Sequence, residues 1–177
     1  VWEYDVPLFD RKPADGHGPE AFGNQTFAAV RLETGNTLVA TGNGHSVLEV
    51  TPAKEIVWKL EQNDLQGITL AWVTTIEVLP NGHYVIGNCH AGPENPQVIE
   101  IDPMTKEVVW AFDQFETFGN DVSNTLVLDA EEARAGKIVR YGVLIDHDGV
   151  GELAAAVHRR TYEQAQMDAA CPDALQS

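Results

Sequence analysis

The sequence is poor in positive charge and contains no long apolar stretch. Only 11 lysine and arginine residues stand against 27 aspartate and glutamate residues, so the formal net charge is -16 at pH 7. A surface of this sign repels phosphate backbones and anionic lipid headgroups, and we therefore expect no nucleic-acid partner and no membrane-surface role. The sequence has no run of about 18 consecutive apolar residues, so it predicts no membrane insertion.

Cysteine is also scarce. Cys89 and Cys171 are the only two, and their number and separation allow one disulfide without requiring it, so the redox compartment stays open. The sequence carries neither an initiating methionine nor a signal peptide. Its first residues, Val1–Tyr4, match the end of an internal repeat instead. We therefore expect a processed or excised piece of a longer chain, whose missing part holds any targeting signal.

An internal repeat dominates the residues that are present. Val30–Leu60 and Ile76–Phe112 each contain, in order, an apolar run, a glycine turn, a second apolar run, a V-L-E-V or V-I-E-I segment and a Val-Trp pair. Repeats of this length are typical of stacked supersecondary units. Short apolar or alternating runs separated by Gly, Pro, Asn and Asp predict four antiparallel strands in each copy. The predicted strands are 27–32, 37–41, 46–50 and 55–60 in the first copy, and 73–79, 84–87, 97–101 and 107–112 in the second.

Partial copies flank the two complete ones. Val1–Tyr4 aligns with a fourth strand, Val122–Asp129 aligns with a first strand, and Lys137–Ile145 is a predicted second strand. Tandem four-stranded antiparallel units, each closed by a strand with tryptophan, are typical of β-propeller blades. A β-sandwich also uses short alternating strands, but it has no reason to repeat Val-Trp in every fourth strand. We therefore predict an all-β chain, with about three blade equivalents of a partial β-propeller in residues 1–145.

The last part of the sequence has a different composition. Residues 146–177 are rich in alanine, glutamate, glutamine and arginine, which favour helices, and we predict a short helical or disordered tail. Asp146–Glu152 has some features of a calcium loop, but Val150 and Val157 occupy two positions that need side-chain oxygen ligands. A polar turn ahead of a helix is the favoured interpretation.

Two turn motifs carry a resemblance to known proteins. Leu79–Gly82 (L-P-N-G) joins the first two strands of the second copy, and Glu100–Pro103 (E-I-D-P) joins the last two. Together with the following V-V-W-x-F, they resemble the repeats of bacterial PQQ-like and arylsulfotransferase-like β-propellers. The resemblance covers about residues 1–145 and implies propeller blades. It leaves the activity open, because such propellers include dehydrogenases, sulfotransferases, assembly factors and binding domains.

The loops before each first strand are the predicted place for a ligand. In a propeller the innermost strand lines the central channel, and the loop before it lies at one mouth. The residues at these positions are Asn24, Gln25, Trp72, Asn120 and Asp121. Their amide, indole and carboxylate groups suit a small polar ligand or a peptide. The competing interpretation is that the indole packs in the core and the amides satisfy turns.

Histidine occurs in two repeated contexts. A Gly-Asn-x-His pattern ends at His45 and again at His90, and these imidazoles, with Cys89 as a third ligand, are the residues of a candidate metal site. The favoured alternative is that the pattern preserves turn geometry and capping hydrogen bonds. The segment His17–Glu20 also echoes the residues from His90 to Glu94, and we interpret both as exposed loops.

These observations favour binding over catalysis. No haem-attachment motif, Ser-His-Asp arrangement or Gly-rich phosphate loop stands out from chance. We expect a non-catalytic binding or scaffold β-propeller segment without a cofactor, periplasmic or extracellular in a bacterium. The alternative is part of a propeller-fold enzyme, arylsulfotransferase-like or PQQ-dependent, and only that alternative implies PQQ or calcium. The expected partners are the remaining blades or a second copy of the chain, and a protein or small polar ligand.

Overall fold

A computed structural model describes residues 1–127, which form two four-stranded antiparallel sheets. The strands pair in sequence order, so each sheet is a meander. The first sheet contains β1 (Ala28–Arg31), β2 (Thr37–Ala40), β3 (Val47–Val50) and β4 (Ile56–Leu60). The second contains β5 (Trp72–Val78), β6 (Tyr84–Cys89), β7 (Val98–Asp102) and β8 (Glu107–Phe112), and a short helix α1 (Phe115–Phe118) follows. The all-β prediction and the eight predicted strands are confirmed.

The two sheets share details of backbone geometry as well as strand order. The β3–β4 and β7–β8 ladders each contain one register shift, between Glu49 and Val50 and between Glu100 and Ile101. Each shift is a β-bulge, which bends the strand and increases its twist. The turns between β3 and β4 and between β7 and β8 also place a lysine in the left-handed region, with φ of 70° and 59°. The sequence repeat is therefore also a structural repeat, although the β5–β6 ladder has a further shift between Val73 and Ile76 that the β1–β2 ladder lacks.

The main hydrophobic core lies between the two sheets. Strand β5 packs against β1 and β2, and Gly42 and Val73 exchange backbone hydrogen bonds of 3.0 and 3.2 Å across the junction. Burying one large aliphatic side chain contributes about 1.5–3 kcal/mol, so the shared core joins the two repeats firmly. Fully buried members from the sheets and their connection are Leu38, Val47, Leu60, Leu70, Val73, Ile86, Ile99 and Ile101.

The repeated tryptophans join one repeat to the next. The Trp58 indole N–H, on β4 of the first sheet, donates to the Pro103 carbonyl oxygen of the second at 2.9 Å. The same ring meets Tyr84 edge to face, with centroids 5.5 Å apart. One step earlier in the chain, the Trp2 N–H donates to the Pro52 carbonyl oxygen at 3.1 Å. We call this pairing of an indole N–H with the next repeat's proline carbonyl the Trp–Pro joint.

Irregular segments cover the outer faces of both sheets. Residues 1–6 pack in a second apolar cluster with β2, β3 and the start of β4. Residues 118–127 lie over the second sheet, where Val122 joins the third apolar cluster. The hydroxyl oxygens of Thr75 and Thr125 are 2.8 Å apart. Each outer face is therefore partly covered in the described part of the chain.

Some predictions fall at or beyond the ends of the described region. Val1–Tyr4 forms no strand, although Trp2 makes the contact that Trp58 makes one repeat later. Residues 122–127, most of the predicted strand 122–129, also form no strand. Predictions that lie outside residues 1–127 are the end of that segment, strand 137–145, the tail 146–177 with its calcium-like loop, and any pairing of Cys171. Among the described helices, none has the length and apolar character needed to cross a membrane.

Candidate ligand-binding surface

The junction between the sheets brings two aromatic rings together over a glycine. Gly42 has a φ of +55°, and a Cβ atom there would lie 2.6 Å from Cδ2 of Phe27 and 3.0 Å from Nε1 of Trp72. Glycine is the residue that tolerates both the left-handed backbone and the close approach. The Phe27 and Trp72 rings meet edge to face, with centroids 4.9 Å apart. Gly42, which lies between β2 and β3, therefore lets the two rings pack close to the backbone.

Two imidazoles complete a surface cluster around the indole. The His17 ring stacks on Trp72 with a centroid distance of 3.9 Å, and the His90 ring lies 5.0 Å from Trp72. The two imidazole centroids are 5.1 Å apart. His17 and Phe27 are exposed, whereas Trp72 and His90 are partly buried. We call these four residues the seam patch, because they come from both sides of the junction between the sheets.

The loop that carries His17 is held in place by polar side chains of the first repeat. Ala14 and Phe22 exchange two backbone hydrogen bonds of 2.9 Å, which close the loop at its base. The Asn43 amide donates to the Gly16 carbonyl oxygen at 2.9 Å, and the Gln62 amide donates to the Pro19 carbonyl oxygen at 2.7 Å. Because both sides of the tip are bonded, the imidazole of His17 is positioned rather than free.

His45 ties this loop to the start of β5. Its side chain is fully buried, with Nδ1 2.7 Å from the Ala71 carbonyl oxygen and Nε2 2.5 Å from the Ala21 carbonyl oxygen. Both ring nitrogens therefore face backbone acceptors, and the side chain has no ring nitrogen left for a metal ion. Its φ of 52° is close to the 59° of His90, as the turn interpretation of the Gly-Asn-x-His pattern expects.

The predicted metal site is therefore not assembled. Cys89 and His90 are adjacent, but His45 is bonded elsewhere, and residues 1–127 contain no group of three or more histidine, cysteine or acidic side chains placed to share a metal ion. The two histidines share a left-handed backbone, but His45 lies in the turn between β2 and β3, whereas His90 directly follows β6. The His45 ring faces the carbonyl oxygens of Ala71 and Ala21, whereas the His90 ring contacts the sulfur of Cys89.

Cys89 and His90 form a small network with the chain after α1. The Cys89 thiol donates to the Asn120 carbonyl oxygen at 2.8 Å, and Nδ1 of His90 lies 2.8 Å from the same sulfur. Since a thiol has one proton and it is used toward Asn120, the imidazole N–H of His90 points at the sulfur. Burial, reinforced by the charge of Asp121, raises the pKa of Cys89 to about 12. The thiol is therefore neutral and a poor nucleophile at physiological pH.

The imidazole of His90 is held in its neutral form. Burial and the neighbouring His17 lower the pKa of His90, while the carboxylate of Asp121 acts in the opposite direction. A neutral ring with its Nδ1 proton bonded to sulfur keeps Nε2 as a hydrogen-bond acceptor. The seam patch therefore offers aromatic faces, an imidazole acceptor and a nearby carboxylate.

The predicted ligand-binding residues have different roles. Trp72 is in the seam patch, and Asp121 is close enough to alter the pKa of His90. Asn120 instead holds the loop after β6, accepting a bond of 3.1 Å from the Gly92 N–H. Asn24 donates to the Val6 carbonyl oxygen at 3.2 Å and so fixes the N-terminal segment. Gln25 is exposed and makes no side-chain hydrogen bond within the described residues.

Two members of the patch, His17 and Phe27, were not among the predicted site residues. The signal for His17 was present in the sequence, because His17–Glu20 echoes the residues that begin at His90. The structure brings the two histidines of that echo into contact. No comparable pattern identifies Phe27, whose place depends on the close approach to Gly42.

Comparison with known proteins gives little further information. No family model matches the sequence, and a search of curated proteins finds no match. Among solved structures, the chain is similar to the crystal structure of a protein of unknown function from Bacteroides caccae, with 28% identity and a TM-score of 0.49. The match covers 55% of this chain and 38% of that one. A superposition this partial identifies neither a fold family nor an activity.

Proposed function

We propose that the two sheets are consecutive blades of a β-propeller and that the chain serves as a binding and scaffold module. The observation that carries the binding function is the seam patch, in which His17 stacks on Trp72 at 3.9 Å on the surface between the repeats. Surface aromatic and imidazole rings held by buried hydrogen bonds form a preorganised contact surface for a small polar ligand or a peptide.

The chemistry of the patch favours binding over covalent catalysis. Its nearest thiol, Cys89, has a pKa of about 12 because of burial, so it supplies no thiolate at neutral pH. The enzyme alternative, arylsulfotransferase-like or PQQ-dependent, remains a prediction from the sequence resemblance. Location in the periplasm or outside the cell is likewise a prediction from the sequence resemblance.

The propeller arrangement is supported by the repeated joints. The Trp–Pro joint occurs at Trp2 and at Trp58, and the bulges between the third and fourth strands of the two sheets lie at equivalent places. Blades pack on their neighbours through the same face each time, and such a pattern needs the same contact at every junction. Trp110, the third tryptophan of the series, is 48% exposed on β8. Further blades, or a second copy of the chain, are the proposed partners.

Titration of the full chain with defined probes tests the binding function. The uniformly ¹⁵N-labelled protein is titrated with cellobiose, maltotriose and a set of neutral pentapeptides, and indole and imidazole resonances are followed. We expect at least one probe to shift the signals of Trp72 and His17, and Trp72→Ala or His17→Ala to abolish the shift. Trp110→Ala removes a different surface indole and should leave binding unchanged. Failure of every probe to perturb the patch would contradict the proposal.

The partner proposal has its own measurement. Light scattering on the full chain reports the mass of the species in solution. Assembly through blade faces predicts a multiple of the 19.4 kDa monomer mass at micromolar concentration. A monodisperse monomer would exclude the second copy as the partner, while the ligand titration would still decide the binding function.

A further inference from the structure

A cavity lies at one end of the first sheet, apart from the residues of the seam patch. Its volume is about 300 Å³, at the lower limit of small-molecule sites. Its walls come from four places: the turn that contains Phe9 and Arg11, the side chain of Phe22, the β2–β3 connection with the start of β3, and the chain from Lys59 to Asp64. None of the four seam-patch residues lines it.

The turn above the cavity has an unfavourable backbone. Phe9 and Asp10 are both in the left-handed region, with φ of 50° and 60°, and the Arg11 N–H bonds to the Leu8 carbonyl oxygen at 2.9 Å. A bulky residue such as phenylalanine rarely adopts this conformation, which is common for glycine and asparagine. Backbone strain of this kind persists where surrounding structure holds it, and it concentrates at ligand clamps. Here it keeps the 47% exposed phenyl ring of Phe9 at the cavity.

Two cations, Arg11 and Lys59, and two carboxylates, Glu61 and Asp64, line the cavity, and Arg11 alone of the four is without an ion pair in the described residues. The carboxylate of Glu61 pairs with Lys59 at 2.9 Å, and that of Asp64 pairs with Lys106 at 2.6 Å. Arg11 has no ion-pair partner among residues 1–127. Its guanidinium carbon lies 3.6 Å from the ring centroid of Phe22, a buried side chain. Stacking fixes the plane of the guanidinium group and leaves its N–H donors without a carboxylate acceptor.

We propose that this cavity binds a small carboxylic acid that carries an aromatic or branched apolar group. The guanidinium of Arg11 accepts the carboxylate in a two-point contact, the geometry that its parallel donors favour. The apolar group packs against the phenyl ring of Phe9. The C-terminal residue of a peptide and a free organic acid both have this chemistry.

Matched neutral and charged probes test the site in the full chain. Isothermal titration compares N-acetyl-L-phenylalanine with its amide, which has the same ring but no carboxylate. Because hydrogen bonds to a charged group are worth more than neutral ones, we expect the acid to bind roughly tenfold more tightly. Equal binding of acid and amide, or no saturation by either below about 10 mM, overturns the proposal.

Variants identify the residue responsible. Arg11→Met keeps the length of the side chain and should remove the preference for the acid. Lys54→Met removes one positive charge from an exposed turn outside the cavity and should preserve the preference. An equal loss in both variants would indicate a general charge effect and overturn the assignment. Arg11→Lys, which keeps the charge without the fork of donors, should retain an intermediate preference if Arg11→Met does not fold.

A peptide series distinguishes the two sources of the carboxylate. A tetrapeptide ending in Ala-Phe with a free C-terminus is compared with the same peptide amidated and with the free N-acetyl amino acid. Tighter binding of the free-ended peptide identifies a polypeptide terminus as the ligand. Tighter binding of the amino acid identifies a small organic acid. Preference for the amidated peptide contradicts both.

Discussion

Replacing Trp58 with phenylalanine is the sharpest test of how the two repeats hold together. The indole N–H donates to the Pro103 carbonyl oxygen at 2.9 Å, and its ring packs edge to face on Tyr84. Phenylalanine keeps an aromatic ring at that position but has no N–H group. The substitution therefore removes the hydrogen bond of one Trp–Pro joint and retains most of the ring contact.

The loss of stability expected for Trp58→Phe has two causes, the missing hydrogen bond and the smaller buried ring. A hydrogen bond of this kind contributes about 0.5–1.5 kcal/mol net, and the smaller ring gives up some buried apolar area. We expect the free energy of unfolding to fall by about 1–2 kcal/mol in Trp58→Phe. Trp58→Ala also loses the aromatic pair and creates a void, and its expected cost is about 3 kcal/mol or more.

The chain provides a matched control in Trp110. That residue occupies the equivalent position on β8, is 48% exposed, and donates no hydrogen bond within the described residues. Trp110→Phe should change stability by less than about 0.5 kcal/mol, as exposed substitutions usually do. Urea unfolding followed by far-UV circular dichroism measures both variants, because tryptophan fluorescence changes with the substitution itself. Equal losses at the two positions would refute the role given to the joint.

Three further predictions concern the seam. Burial holds the pKa of Cys89 at about 12, so in the Cys171→Ser background its alkylation at pH 8 should be far slower in the native state than in urea; rapid native alkylation would contradict this. Burial lowers the pKa of His90, so on acidification the native state takes up a proton at this ring at a lower pH than the unfolded chain does. The stability that this group contributes is present above about pH 6.5 and is lost as pH falls toward the folded pKa. In urea unfolding at several pH values, the free energy of unfolding of His90→Gln should therefore fall less on acidification than that of the unsubstituted protein. Gly42→Ala should cost more than Gly82→Ala in the same unfolding assay, because both have positive φ but only the first Cβ meets a ring, at 2.6 Å; equal costs would mean that the ring moves freely.

The strands were predictable because their signals are local. Alternation in segments such as Gln97–Ile101 and turn residues such as Pro80–Gly82 are read within a few positions, and each observed strand lies within two residues of its prediction. The short helix α1 was missed, because four residues carry no helical period. Its place between β8 and Asn120 follows from the packing of Phe118 on Phe112, a tertiary contact.

The seam patch was only partly predictable for a related reason. Trp72 was identified from its position before a first strand, and that reasoning needed only the order of elements. The contact between Trp72 and His17 depends on a loop held by Asn43 and Gln62, whose hydrogen bonds reach 27 and 43 residues along the chain. His45 is a related case: the repeated motif made it a candidate metal ligand with the turn interpretation favoured, and both of its ring nitrogens face backbone carbonyl oxygens.

The Trp–Pro joint also bears on how such a chain can grow. Each unit carries a donor at its last strand and an acceptor in the turn just before it, as Trp58 and Pro52 do in the first sheet. When a gene segment for one unit is duplicated in tandem, the new copy brings both halves of the contact with it. The new junction is then complementary from the start, without any compensating substitution. Tandem duplication of one unit therefore supplies the hydrogen-bond contact at each junction that it creates.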